Sequence, residues 1–470
     1  MDLFLFNSLG RKKEKFVPIN KDVVGMYTCG PTVYDYATIG NFRTYTTSDI
    51  LLRVIKYNGF TVKYIMNLTD VGHLTGDNLG DADTGEDRLE KAAKRDRKTA
   101  WDVAKFYTEA FLKDFEKLNL EKPEKFVKAT DHITEQIDLV KKLEEKGLTY
   151  KTSDGIYFDT AEYEKKTGNK YGELSTLDQI KEGARVEVNP EKKNPRDFAL
   201  WKFSPKGEKR DMEWDSPWGM GFPGWHIECS AMSMKYLGET FDIHVGGEDL
   251  RSTHHPNEIA QAEGATGKKF VDFWIHGAFL KVNGGRMGKS LGNAYRISDL
   301  EEKGFRAQDL RYFYLSGKYN EPLNFTWESL ESSKNALEKL INLLQSFRNE
   351  KDRTALSEEK NLKVDEYRKR FLEAVNDDLN LPQALAVLWE MIKSSIPSSD
   401  KYDLALSFDE VLGLQLDILP QRIETPEKVI KLREERENLR KQGKYEEADK
   451  LRDKIKALGY PVQDKQSLAN

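Results

Sequence analysis

Two cysteines, Cys29 and Cys229, stand 200 residues apart in this 470-residue chain, each in a stretch crowded with other reactive side chains. Cys29 opens the run CGPTVYDYATIGN, ending at Asn41. Cys229 closes Gly224-Trp-His-Ile-Glu-Cys, and His254-His-Pro-Asn-Glu258 follows 25 residues later. So wide a separation excludes a disulfide framework and CxxC metal knuckles. With Pro256 opening a helix, His254 and Glu258 are four residues apart and project from one side. Two thiolates, an imidazole and a carboxylate suit zinc. A buried Cys is also commonly just a small apolar side chain, so the residue types alone leave both readings open.

Two further stretches suit phosphate. Gly30-Pro31 ends a β-rich run, and a helix is expected to begin after Gly40. A helix N-terminus offers free N–H groups and a positive dipole end. Gly40 admits a nucleotide close to the backbone, while Thr38 and Asn41 can hydrogen-bond polyphosphate. The pattern is neither the dinucleotide fingerprint nor the P-loop. The second stretch is GRMGKSLGN, residues 285–293. A glycine-flanked loop carrying Arg286 and Lys289 can close on a triphosphate and neutralise charge as pyrophosphate departs. Taken alone, it would pass for a surface turn with two cations.

The elements that must position these groups read as α/β. Val23–Cys29 is a strand, Thr44–Tyr57 a helix with Ile50, Leu51, Val54 and Ile55 on one face, and Thr61–Leu68 a second strand. That is a βαβ unit, and it implies a parallel, doubly wound sheet. Ala100–Leu118 reads as another amphipathic helix. Asp154–Pro217 has an insertion's texture, and alternation resumes at Phe241–Val245 and Phe270–Ile275. From Ser332 onward the chain reads as helical. In Thr425–Leu458, Ala448, Leu451, Ile455 and Leu458 recur at helical steps, and Gly443 and Gly459 stand where they would end two helices.

Charged residues make up 33% of the chain, above the ~25% usual for globular proteins, so long solvated helices are expected. The net charge of −5 excludes a uniformly basic nucleic-acid binder but not a local basic track. Residues 421–470 form such a track, with 13 Lys/Arg against 10 Asp/Glu. The N-terminal MDLFLFNSLGRKKEK lacks the basic start and long apolar stretch of a signal peptide. No window is apolar enough to span a membrane, so a cytoplasmic location with reduced thiols is expected.

At this point the chain resembles a known family. The strings CGPTVYDYATIGNFRTY, NLTDVGHL, GWHIECSAMSMKYLGETFDIHVGGEDL, HHPNEIAQAE, GRMGKSLGN, FLEAVNDDLNLPQAL and LRKQGKYEEADKLRDKI are similar to the cysteinyl-tRNA synthetase family of class I, almost end to end. Thr38-Ile-Gly-Asn41 stands in place of the family's HIGH signature, and Arg286-Met-Gly-Lys-Ser290 in place of its KMSKS loop. The resemblance implies zinc on Cys29, Cys229, His254 and Glu258. It implies ATP contacts at Gly40, Gly247, Asp249, Arg286, Lys289 and Ser290, with magnesium accompanying the ATP. Thr38, Asn41 and Lys289 take the catalytic positions. Cys29, Gly30, Thr69, Trp225 and His226 line a cysteine pocket.

The implied partners are L-cysteine, ATP and tRNA(Cys), with no membrane, and the implied state is a monomer. The implied fold is a Rossmann-type catalytic domain with an insertion, followed by an all-helical tRNA-binding region. Its expected divisions are 1–130 and 216–290 for the catalytic halves, 131–215 for the insertion and 291–330 for a junction. The bundle would then be 331–424 and a small anticodon-side domain 425–470. Tyr445, Arg433, Arg436 and Arg440 are candidates for anticodon contact. A mycothiol-type cysteine ligase shares the catalytic half but lacks the helical tail. A degenerate paralogue that binds only zinc or RNA would not need Lys289 and all four zinc positions. The departures are Thr38 and Asn41 for two histidines, Arg286 and Gly288 for a lysine and a serine, and the absence of a Gly and Trp beyond Asp464.

Overall fold

The computed structural model describes residues 1–72, 74, 86–175, 189–205, 207, 209–349, 356–418, 427–442 and 444–457. Its centre is a βαβ unit: β1 (Val23–Thr28), α1 (Ile39–Tyr57) and β2 (Thr61–Leu68). Strand β3 (Lys125–Lys128) follows beside β2. After an insertion come α2 (Trp225–Leu237), β4 (Phe241–Gly247), α3 (His254–Thr266) and β5 (Val271–Gly277). The five strands are all parallel, in the order β5-β4-β1-β2-β3. Their continuous apolar runs, such as Ile65-Met66 and Trp274-Ile275, are buried, as a sheet covered on both faces requires.

The chain leaves β1 toward β2 and later returns on β1's other side through β4. The strand order therefore switches between β1 and β4, and a crevice at such a switch, beyond the strands' carboxyl ends, is where α/β sheets bind ligands. Cys29 and Gly30 follow β1 there, and Gly247 ends β4.

Helix α1 begins at Ile39, five residues earlier than the expected Thr44 but close to the start expected after Gly40. Thr38 caps it reciprocally with Asn41: the Asn41 Oδ1 accepts from the Thr38 N–H at 2.9 Å, and the Thr38 hydroxyl faces the Asn41 N–H. Helix α3 likewise begins at His254 rather than at Pro256.

The insertion builds its own antiparallel sheet from Thr149–Lys151, Gly155–Phe158, Phe198–Phe203 and Gly221–Pro223. Its apolar cluster, including Val140, Phe158, Leu200 and Trp201, extends onto Ile227 of α2 and Ala260 of α3. The insertion thus buttresses the two helices that carry Cys229, His254 and Glu258.

Beyond residue 327 the described chain is helical, as expected: Trp327–Asn349, Glu358–Asn376, Leu381–Lys393 and Ser398–Leu412 share one core with the central sheet. A hairpin of Glu427–Lys441 and Tyr445–Ala457 closes on Leu432, Leu451 and Ile455. Gly443, Leu458 and Gly459 lie outside the described residues, as does Asp464. Tyr445 is exposed, whereas Arg436 is buried within the hairpin rather than presented on its face, and the Arg433 side chain is outside the described set.

One buried cation joins the helical region to α1. Arg311, on the helix Ala307–Leu315, donates to Asp49 Oδ2 at 2.5 Å, to the Leu118 carbonyl at 3.1 Å and to the Leu412 carbonyl at 2.7 Å. Gly413 has φ +62°, and a Cβ there would strike the guanidinium. Arg311→Met is expected to destabilise the protein by about 2–4 kcal/mol, read by urea unfolding, because it strands the buried Leu118 and Leu412 carbonyls and leaves Asp49 with Arg53 as its one cation among the described residues. A loss below ~1 kcal/mol would refute that role for the pair.

Candidate active site

Three elements deliver the predicted metal set. Cys29 follows β1, Cys229 lies on the second turn of α2, and His254 and Glu258 occupy successive turns of α3. The Cys29 sulfur lies 3.7 Å from the Cys229 sulfur and 3.6 Å from Glu258 Oε1, and His254 Nε2 lies 3.0 Å from that same oxygen. All four residues are buried, with donor atoms within 4.8 Å of one another. Two sulfurs, a nitrogen and an oxygen at this spacing fit a zinc ion.

The electrostatics of the set follow from burial and mutual contact. Burial, reinforced by Cys229, pushes the Cys29 thiol well up. Burial also opposes ionisation of Cys229, but the Cys29 S–H and His254 bring it down to about 6. The burial penalty on Glu258 is outweighed by His244 and His254, which hold it at about 2. For His254, burial is outweighed by Glu258 and Cys229, which push it up to about 10. The set therefore carries two anions, one cation and one neutral thiol at neutral pH.

A second shell of histidines surrounds it. His244 Nε2 engages Glu258 Oε2 at 2.9 Å, and His226 Nδ1 lies 3.0 Å from His254 Nδ1. His255 meets Cys29 at 3.5 Å and His276 at 2.8 Å, and His276 in turn reaches the Ser8 hydroxyl at 2.8 Å. Cys29, His244, His255 and Glu258 form an alternative set of donors. Its histidines are already engaged with Glu258 and His276, and such contacts orient metal ligands. Sequence reasoning passes over His244, His255 and His276, because His244 and His276 sit in apolar strand runs and read as core.

The residues expected to line a cysteine pocket also converge. The Trp225 ring centroid lies 4.2 Å from that of His254 and 5.2 Å from that of His226. Gly30 is obligatory, since a Cβ would overlap the Asn67 carbonyl oxygen. The Asn67 side chain, not singled out from the sequence, ties two pocket residues together. Its Oδ1 accepts from the Gly30 N–H at 2.7 Å, and its Nδ2 donates to the Thr69 hydroxyl at 3.1 Å. Its place at the inner end of β2 is the signal that could have found it.

On the phosphate side, Thr38 and Asn41 cap α1, with the Thr38 hydroxyl donating to Asn41 Oδ1 at 2.8 Å. Gly247 lies against Asp249, whose carboxylate would clash with any Cβ there. The loop 285–293 begins as the second arm of a hairpin, with Gly285 and Arg286 opposite Val282 and Lys281, and continues into a single 3₁₀ turn at Lys289–Leu291. It rests on the α1 entry. Met287 Sδ is 3.1 Å from where a Gly40 Cβ would stand, and Lys289 Nζ pairs with Asp35 Oδ2 at 2.7 Å above the Tyr34 ring. Arg286 is exposed, and the Ser290 side chain lies outside the described residues.

Comparison with known proteins accords with this geometry. Residues 15–335 match the model of the class I (C) tRNA synthetase catalytic domain, and residues 370–395 match the DALR domain. The chain is 44% identical to the cysteine–tRNA ligase of Treponema denticola, covering 99% of this chain and 98% of that protein. It is 45% identical to cysteine–tRNA ligase 1 of Burkholderia lata, covering 99% and 95%. Methionyl-tRNA synthetase of Mycobacterium tuberculosis, solved with methionyl-adenylate, superposes with a TM-score of 0.58 at 14% identity over 84% of this chain and 90% of that one, a likeness of fold. Over its whole length, then, the chain belongs to the cysteine–tRNA ligase family of class I tRNA synthetases.

Proposed function

We propose that this chain activates L-cysteine with ATP and transfers it to the 3′ end of tRNA(Cys). The observation that carries the reading is the buried Cys29, Cys229, His254 and Glu258 set, placed beside the switch point of a class I sheet. Those residues would hold a zinc ion, which would supply selectivity by favouring a soft, ionisable thiol over a serine hydroxyl. A site built on one polar interaction can discriminate by ~10⁴ or more without proofreading.

The cysteine carboxylate is ionised at neutral pH and needs no general base. Its oxygen attacks the α-phosphorus of ATP, the bond to the bridging oxygen breaks, and pyrophosphate leaves with that electron pair. The capped N-terminus of α1 and Lys289 stabilise the charge that develops, and Asn67 and Trp225 hold the pocket in place. A ribose hydroxyl of the tRNA then takes the cysteinyl group, releasing AMP. Magnesium accompanies the ATP. In the division of labour we propose, residues 1–130 and 216–290 do the chemistry, while 331–424 and 425–470 hold the tRNA through local basic surface and unpaired bases. Cysteine-dependent exchange of pyrophosphate into ATP, followed by charging of a tRNA(Cys) transcript, tests the reading. Serine should give neither, and absence of exchange with cysteine would refute it.

The Asp35–Lys289 pair adds a kinetic expectation. It is partly exposed, so it holds the lysine by at most about 1 kcal/mol. Asp35→Asn should lower KM for ATP by roughly 2- to 5-fold at constant kcat. A fall in kcat instead would mean that Asp35 positions Lys289 during the reaction.

A further inference from the structure

Glu228 has no part in the chemistry described so far, yet it is the most conspicuous orphan in the molecule. It is fully buried, and among the described residues no cation and no backbone N–H meets either carboxylate oxygen; only the Thr69 hydroxyl approaches the group. Buried carboxyl groups with so few donors are rare and costly in either protonation state, because the desolvated oxygens lose water and gain little. Other buried acids nearby are supplied. Asp70 accepts from the Thr130 N–H and hydroxyl at 2.9 and 2.7 Å, and Asp87 accepts from the Leu89 N–H at 2.8 Å and from Arg210 at 2.6 Å. Burial first, and then the acidic neighbours Cys229, Asp70 and Asp87, push the Glu228 carboxyl well up, so the pocket by itself holds it against ionisation. The site around it is short of one positive group.

Its position says what that group belongs to. On α2, Glu228 follows Trp225 by three residues and so shares a helix face with it. It immediately precedes Cys229. Its Oε1 is 3.4 Å from where a Gly72 Cβ would stand, so the carboxylate lies against the turn that runs from Thr69 to Gly72. The Thr69 hydroxyl accepts from Asn67, which turns its own proton toward the Glu228 carboxylate. In cysteine the thiol and the ammonium hang from adjacent carbons. A thiol directed at the Cys29 and Cys229 sulfurs therefore brings the ammonium to the wall formed by Thr69, Trp225 and Glu228.

We infer that Glu228, with Thr69 oriented by Asn67, forms the carboxyl socket that receives the α-ammonium of the amino-acid substrate. This rests on the reading of cysteine as substrate. The socket gives the pocket a second requirement beside the thiol: a ligand must bring a cation one carbon away. Simple thiols and thiol acids, abundant in a reducing compartment, satisfy the sulfur site but leave Glu228 buried and unpaired, a penalty that rejects them.

The test compares L-cysteine with 3-mercaptopropionate, which keeps the thiol and carboxylate but lacks the amino group. Both are titrated into zinc-loaded wild-type protein and Glu228→Gln by calorimetry, with zinc content measured alongside. Wild-type protein should prefer cysteine by at least about 30-fold. Glu228→Gln should keep its zinc, bind 3-mercaptopropionate within a factor of about two of wild type, and lose most of the preference for cysteine. Equal weakening of both ligands, or an unchanged preference, would overturn the inference. So would a wild-type preference below about 3-fold, a result that does not depend on the variant folding. Wild-type protein that binds neither ligand would instead bring down the substrate reading itself.

Discussion

Cys229→Ala is expected to lose zinc and, with it, at least ~10³-fold in cysteine-dependent pyrophosphate exchange, since tight zinc sites depend on every ligand of a complete set. Loss of exchange has many causes, so metal content is the primary readout: about one zinc per chain in wild type and a small fraction of that in the variant. A second signature comes from protonation. In the metal-free set Cys29 keeps its proton and His254 is pushed up to about 10, whereas Cys229, at about 6, and Glu258, at about 2, are already ionised.

Zinc binding near pH 7.5 should therefore release about two protons, from Cys29 and His254, and calorimetry in buffers of different ionisation enthalpy counts them. The same values set a stability window for chelated protein. Glu258 is depressed from 4.5, so its contribution is lost as pH falls toward 2. His254 is raised from 6.5, so its contribution is lost as pH climbs toward 10. Both are in full force between those two ordinary values. Cys229, depressed from 9.0 to about 6, gains stability from pH 6 to 9 and offsets the loss at His254, so the visible limit is the acid one. A chelated protein whose melting temperature is flat from pH 3 to 9 would contradict this.

Lys289→Ala should reduce kcat for pyrophosphate exchange by ~10²–10³-fold, the loss typical when one preorganised donor to developing charge is removed. Zinc content and cysteine binding should be unchanged, because the Lys289 side chain is engaged with Asp35 and the Tyr34 ring and with none of the four zinc candidates. Lys289→Arg should recover part of the rate, since the charge persists on a differently shaped group. A rise in KM for ATP with kcat intact would assign the lysine to binding alone, and full activity would remove the loop from the mechanism.

Much of this was legible in the residues. β2 was read at its observed limits, Thr61–Leu68, because a buried parallel strand announces itself as an unbroken apolar run between turn signals. The helix start read after Gly40 lies close to the observed Ile39, and the reciprocal cap made by Thr38 and Asn41 went unread because both were assigned to phosphate. The four residues that the resemblance implied for zinc lie together as one buried cluster of donor atoms. The polar shell behind them did not show in the sequence. His244 and His276 occupy strand positions that apolar residues usually fill, and Asn67 acts through two contacts that exist only once Gly30 and Thr69 are side by side. Arg436 reads as a solvated cation, yet pairing of the two terminal helices buries it.

The central strand has a consequence for how the molecule is made. Strand β1 pairs on one side with β2, which leaves the ribosome shortly afterwards, and on the other with β4, which begins at Phe241. At ~5–20 residues per second, about 10–40 s separate the emergence of Cys29 from that of Cys229. Throughout that interval β1 has an unpaired edge and Cys29 an unshielded thiol. The intervening sheet, with its own apolar cluster, can fold in the meantime and present α2 to its place. The nascent chain is thus most exposed to aggregation and oxidation before residue 241, and supplying free zinc during synthesis cannot shorten that period, because the binding site does not exist until it is over.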